Sequence, residues 1–227
     1  MNKIEANAAQ EFDRWAASGR AESMERGHTP MVSSLLDQWS FDGTDRVLDV
    51  GCGNGWVVRE MCARGAGHGV GVDISAGMIA CAQQRVSSNI TYSVASAENL
   101  PFDAGTFSAI TSVESLYYYA NPSAALAEWR RVSREGGRLG VAIDLYEDSP
   151  VGRVWSAVLD VPVHVLSEAD WVEQLQQAGW RNIRTWRVLD SSPIMPQSDF
   201  KPSRYWPDYE TYIGFRRAGS LVLAANS

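Results

Sequence analysis

VLDVGCGNGW, residues 47–56, decides the fold of this chain. An apolar run carrying one acid, Asp49, passes into glycines at every second position, Gly51, Gly53 and Gly55, and then into Trp56. That is a strand turning sharply into a helix. Glycine has no Cβ, so the backbone there bends tightly and comes close to a ligand.

Outward from this turn, short β-like runs alternate with helical ones. RVLDV (46–50), GVGVDI (69–74), ITYSV (90–94), FSAITSV (107–113) and RLGVAIDL (138–145) read as strands. Between them, 54–64 reads as a helix ending at Gly65, 75–86 as a helix capped by Ser75, and 121–133 as a helix opened by Asn121 and Pro122. PFDAGT (101–106) and EGG (135–137) read as turns. Later, Ser167-x-x-Asp170 opens a helix over 167–179. IRTWRVL (183–189) is a sixth strand, 208–219 a helix, and SLVLAA (220–225) a closing strand. The proline-bearing stretch 191–207 reads as a surface loop. Strands separated by helices of this length predict βαβ units and a parallel sheet. In the first forty residues, 5–18 reads as a helix, and Thr29-Pro30 is expected to cap a second one over 31–39. Both should lie over the sheet.

Composition narrows the function. The chain has 227 residues, 45% hydrophobic and 21% charged, which suits one globular domain. A net charge of −7 argues against nucleic acid as partner, because phosphate binding needs a basic face. No apolar run is long enough for a membrane span, and the first residues lack the apolar core of a signal peptide. Cys52, Cys62 and Cys81 form no Cys-x-x-Cys pair, which predicts reduced thiols and a cytoplasmic setting. His28, His68 and His164 offer no i,i+4 pair, so no metal ligands are assigned.

In open α/β sheets the ligand sits beyond the carboxyl ends of the strands, and an acid ending the second strand grips a ribose diol. Asp73, 22 positions after Gly51, is that acid. A dinucleotide fingerprint would be G-x-G-x-x-G/A. Its third small residue would fall at position 56, where Trp56 stands. The spacing G-x-G-x-G suits a nucleoside cofactor without a diphosphate.

These segments resemble the class I S-adenosylmethionine-dependent methyltransferases. VLDVGCGNGW is similar to their motif I, and GVDIS (71–75) to the acidic segment after their second strand. ASAENLPFDAGTFSAI (95–110) and EWRRVSREGGRLGVA (128–142) resemble the stretches leading into strands four and five in the ubiquinone/menaquinone-biosynthesis branch. The resemblance covers about residues 45–145 and implies a Rossmann-like, seven-stranded, mostly parallel sheet. Helices would lie on both faces, the last strand would be antiparallel, and a helical N-terminal cap would complete the fold. It further implies S-adenosylmethionine as cofactor, with Asp49, Gly51 and Gly53 at its methionine part. Asp73 would hold the ribose hydroxyls and Ile74 the adenine face. Ser96, Ala97 and Glu98 would lie at the adenine edge, and Val113 beside the cofactor. Where many relatives carry Gly-Asp-Ala, this chain has Ala95-Ser96-Ala97. Ser96 is then expected to accept the adenine amino group's hydrogen bond more weakly than a carboxylate.

A sulfonium methyl is already activated, so the enzyme mainly aligns the partners and excludes water. The acceptor side is sought in SVESLYYYANP (112–122), after strand four. Glu114 and Tyr117 are the candidate catalytic residues. Asp144 ends the neighbouring strand, and the two acids together could receive an amine, act as a base or hold a divalent ion. Trp15, Arg20, Arg26 and His28 are candidates in a lid, an arginine being suited to the methionine carboxylate. Trp206 is expected at the acceptor pocket. Trp129, Trp155, Trp171 and Trp180 are expected to pack, His68 and His164 to be structural, and Cys52 to be inert. The expected domain spans 1–227, with a cap (1–44), a cofactor core (45–145) and substrate-side and closing elements (146–227). The reading is methyl transfer to a small-molecule acceptor. Its rivals are a nicotinamide-dependent oxidoreductase and a non-catalytic cofactor-binding partner protein.

Overall fold

The computed structural model describes residues 2–85 and 87–227. Two helices come first, α1 (Lys3–Ala17) and α2 (Arg20–Leu36). The alternating core follows as β1 (Arg46–Val50), α3 (Trp56–Ala63), β2 (His68–Asp73), α4 (Ala76–Gln83), β3 (Ile90–Val94), β4 (Phe107–Val113), α5 (Pro122–Val132) and β5 (Ser133–Ile143). The chain then adds α6 (Gly152–Val158), α7 (Glu168–Gln177), β6 (Arg181–Val188), α8 (Tyr209–Ala218) and β7 (Ser220–Asn226).

The seven strands form one sheet in the order β3-β2-β1-β4-β5-β7-β6. The first five are parallel to their neighbours, and β7 runs antiparallel to both β5 and β6. The chain moves outward from β1 to β3 and then returns to lay β4 on the other side of β1. This reversal opens a crevice at the carboxyl ends of β1 and β4, the usual ligand position in such sheets.

Side-chain alternation assigns the helices to faces. Leu48, Val50, Ile110, Val141, Ile143, Leu221 and Leu223 point to one side, where Trp129 and Val132 of α5 and Trp171 and Leu175 of α7 pack. Val47, Ala109, Ala142, Val222 and Ala224 point to the other, against Val32, Leu35 and Leu36 of α2 and Val58 and Met61 of α3. Both faces of the central strands are covered, which is why they read as nearly continuous apolar runs. The caps read from the sequence form: Ser75 accepts from the Met78 N–H, Asn121 from Ala124, and Ser167 and Asp170 make a reciprocal box.

Two local expectations are corrected. Thr29-Pro30 does not start a helix, because α2 runs through Pro30 from Arg20 to Leu36. Thr29 donates its hydroxyl back to the Glu25 carbonyl at 2.8 Å, a bond made within a helix and not at its start. EGG (135–137) is not a free turn; it lies inside β5, where the register against β4 shifts and Gly136 takes φ 70°. Trp129, Trp171 and Trp180 are buried as expected, and Trp155, half-buried, packs against the same core with one side on a cavity. The last residue of the helix read over 75–86, Val86, lies outside the described residues. Among the described residues no helix is long and apolar enough to cross a membrane.

Candidate active site

The glycine turn is held from below. The N–H groups of Gly51 and Cys52 both donate to the Val72 carbonyl, at 2.8 and 2.9 Å. Gly51 has φ 73°, and a Cβ there would sit 2.4 Å from the Ser115 Cβ, so no other residue fits. Gly53, φ 52°, is different: nothing lies within 4 Å of the place a Cβ would take. Its open side faces a cavity of about 740 Å³.

Asp73, at the end of β2, ties this turn to the next one. Its Oδ2 accepts the Gly53 N–H and its Oδ1 the Ser75 N–H, both at 2.9 Å. Burial raises its pKa to about 6. Asp49 is buried beneath the glycines and accepts the Thr111 hydroxyl at 2.7 Å. Burial pushes its pKa up to about 7 against that hydrogen bond.

Of the residues expected to hold the cofactor, Gly51, Gly53, Asp73, Ile74, Ser96, Ala97, Glu98 and Val113 line the 740 Å³ cavity. Asp49 does not. It lines a smaller adjoining space with Gly51, Gly53 and Trp56. The open glycine, the carboxylate at a strand end and the apolar Ile74 and Ala97 make a cradle that fits a nucleoside-bearing cofactor. The Ser96 hydroxyl donates to Glu5 Oε1 of α1 and accepts the Glu98 N–H at 3.2 Å, so it already serves the protein. Glu98 accepts the Asn121 N–H at 2.7 Å.

Sequence reasoning missed the roof of this cavity. Glu5, Ala8 and Phe12 from α1 and Met24 from α2 close it, and Tyr118 and Tyr119 add a wall. The helical pattern foretold α1, but nothing in it said which loop the helix would cover.

A second cavity of about 720 Å³ lies beside the first and shares Met24, Glu114 and Tyr118 with it. Trp15, Tyr117, Trp155, Tyr205 and Trp206 make its wall aromatic, with Leu159 beside them and Trp155 and Trp206 in edge contact at 5.3 Å. Trp206 thus lies in a cavity wall, as its isolation in a proline-rich loop suggested. The Arg20 guanidinium lies 3.8 Å over the Trp15 ring and 5.2 Å from that of Tyr205. Neither candidate arginine is at the glycine turn: Arg20 lines the aromatic cavity and Arg26 is exposed.

Glu114 stands at the junction. It has φ 54°, a left-handed backbone that a non-glycine residue adopts at a cost. It is buried; its Oε2 accepts the Tyr117 hydroxyl at 2.7 Å and its Oε1 the Asp144 N–H. Burial, and then the neighbouring Asp144, push its pKa well above the carboxylate range. His28 reaches in from α2, its Nε2 3.7 Å from Asp144 Oδ2 and 4.0 Å from Glu114 Oε2. Burial lowers the His28 pKa although Asp144 opposes the shift. Cys52 is buried and its thiol is pushed up by burial, so it is inert.

With this geometry in hand, the likenesses to known proteins are specific. A family model described as a methyltransferase domain matches residues 48–141. Demethylmenaquinone methyltransferase of Mycobacterium tuberculosis is 31% identical over 185 residues, 71% of this chain and 77% of that protein. The 27-O-demethylrifamycin SV methyltransferase of Amycolatopsis mediterranei is 28% identical over 135 residues, 57% of this chain and 50% of that protein. The matches to that enzyme and two other curated relatives span 50%, 62% and 55% of their lengths. Among solved structures, a complex between the Haloferax volcanii Trm112 methyltransferase activator and a protein described as a candidate methyltransferase supplies a chain that superposes with a TM-score of 0.87. It is 28% identical, over 95% of this chain and 97% of that one.

Proposed function

The chain belongs to the class I S-adenosylmethionine-dependent methyltransferases, and from that premise we propose that it methylates a small molecule seated in the aromatic cavity. One observation carries the reading: the cavity at the glycine turn and the aromatic cavity share Met24, Glu114 and Tyr118, so the two adjoin where β4 ends. When bound, S-adenosylmethionine supplies an activated methyl group on a sulfonium and leaves as S-adenosylhomocysteine. The chain's residues do the rest. Asp73 grips the ribose hydroxyls. Ile74, Ala97 and Val113 enclose the adenosine, with Ser96 and Glu98 at its edge, while Asp49, Gly51 and Gly53 cradle the methionine end. Glu114 and Tyr117, joined by their hydrogen bond, orient the acceptor and handle its proton. Trp15, Trp155 and Trp206 exclude water, which would otherwise compete for the methyl group. The segments 1–44, 45–145 and 146–227 act as one unit of cap, cofactor core and acceptor side. Three unpaired cysteines suit a reducing cytoplasmic setting.

Calorimetric titration with S-adenosylmethionine, S-adenosylhomocysteine and NADH tests the cofactor assignment. Micromolar binding of the two sulfur compounds alone is expected; NADH binding, or none at all, would overturn it. A screen of phenols, amines and acids with methyl-labelled cofactor then tests the acceptor class. A second reading rests on the 0.87 TM-score neighbour, which is held with an activator protein. Here the chain transfers methyl groups only with a protein partner. Cofactor binding without turnover, followed by turnover when a Trm112-type protein is added, would favour it.

A further inference from the structure

We propose that His28, Glu114 and Asp144 form a binding site for a divalent transition-metal ion at the throat between the two cavities. The three side chains come from α2, from the end of β4 and from the end of β5. One ligand atom from each lies within 4.8 Å of the others. Two ligands about 2.0–2.2 Å from a common ion lie no more than about 4.4 Å apart. The His28 distances, 3.7 Å to Asp144 and 4.0 Å to Glu114, fall inside that limit.

Charge is the second argument. Glu114 and Asp144 are 7% and 5% exposed, and their ion pairs among the described residues are both to His28. Asp144 Oδ2 faces His28, while its buried Oδ1 has the Ser220 side chain as its neighbour and no second partner among the described residues. Two neighbouring buried acids are costly to hold ionised together, and a divalent ion bound by both would offset that cost. Glu114 is also supported from behind, because Tyr117 donates to the same Oε2 that faces His28. Ligating carboxylates are typically held by such hydrogen bonds. An imidazole among the donors favours transition metals over Mg²⁺ or Ca²⁺.

The proposal deepens the functional reading and rests on the aromatic cavity being the acceptor's. Three protein ligands leave coordination positions open. His28 and Glu114 both line the cavities, so those positions face the acceptor. An ion there would bind an acceptor oxygen and lower the pKa of its hydroxyl, whose proton then passes to solvent while Glu114 stays a ligand. The acceptor class is therefore one presenting a hydroxyl or phenol to the cofactor.

The test is titration of the chelator-stripped full chain with Zn²⁺ and Mn²⁺. One ion per chain is expected. Asp144→Asn and His28→Gln should each weaken it by about tenfold or more. Because a variant can misfold, the Mn²⁺ form of the unaltered chain is also examined by spin-echo spectroscopy, which should show a bound imidazole nitrogen. S-adenosylhomocysteine titration of the same samples reports separately on the cofactor reading. No bound ion, an ion indifferent to both substitutions, or no nitrogen signal would each overturn the proposal.

Discussion

At the scale of single residues, the two aspartates that flank the glycine turn carry different burdens. Asp73 spends both oxygens on backbone N–H groups of the loops while facing the cavity. Asp73→Ala should weaken S-adenosylhomocysteine binding by about 1.5–3 kcal/mol for each charge-assisted hydrogen bond lost. Unchanged calorimetric affinity would remove the ribose from this position. Asp49 is a matter of pH. Its folded pKa of about 7 lies above the ordinary carboxylate value of 3.8. The folded state therefore keeps a proton that the unfolded chain has already lost. Stability at this site falls as pH rises from about 4 to about 7, and the cost is then constant. Asp49→Asn keeps an acceptor for Thr111 and carries no charge. It should stabilise the cofactor-free protein by a few kcal/mol at about pH 8 and by less than half of that at about pH 5. Melting temperatures that shift equally at both pH values would refute the assignment.

At the scale of elements, α5 supports the cavity from behind. Trp129 is wholly buried and its Nε1–H donates to the Ala97 carbonyl at 3.1 Å. Trp129→Phe leaves that carbonyl without its partner and opens a void, at a cost of about 2–4 kcal/mol. Ala97 lines the cofactor cavity, so affinity for S-adenosylhomocysteine should fall in the same variant. Denaturant unfolding and calorimetry check the two halves, and loss of stability with unaltered affinity would uncouple α5 from the site. Helix α2 shows how a local signal misleads. Pro30 has the marks of a helix start, since proline is favoured in the first turn. Here it sits inside a helix whose ends are fastened elsewhere, by Ala21 in one core layer and by Leu35 and Leu36 in the other. Tertiary burial outweighs the lost hydrogen bond, and His28 is carried into the throat as a result.

At the scale of the whole molecule, the cap is the part expected to respond to a ligand. Glu5, Ala8 and Phe12 close the cofactor cavity, yet much of α1 is exposed, and its packing is chiefly against α4. Such an element opens at lower free energy than the central strands. S-adenosylhomocysteine should therefore slow amide hydrogen exchange in residues 3–17 and 20–28 much more than in β1 or β4. Equal protection across the cap and the sheet would mean that the cap does not close over the cofactor.

The amino-acid sequence by itself determined the sheet, its seven strands, the glycine turn and the acids at the strand ends. These are written in local periodicity, in the residues that only a turn tolerates, and in spacing along one chain. Glu114 was legible for that reason: it follows an apolar run that must end at the ligand edge. Its left-handed backbone was not, because nothing local forces a glutamate to φ 54°. The tertiary structure alone decided what faces the acids. His28 lies 86 and 116 residues before Glu114 and Asp144. Arg20 rests on Tyr205, and Glu5 meets Ser96, across gaps of the same order or longer. Contacts at such separations leave no periodic trace. They exist only because the two core layers fasten α1 and α2 over the carboxyl ends of the strands.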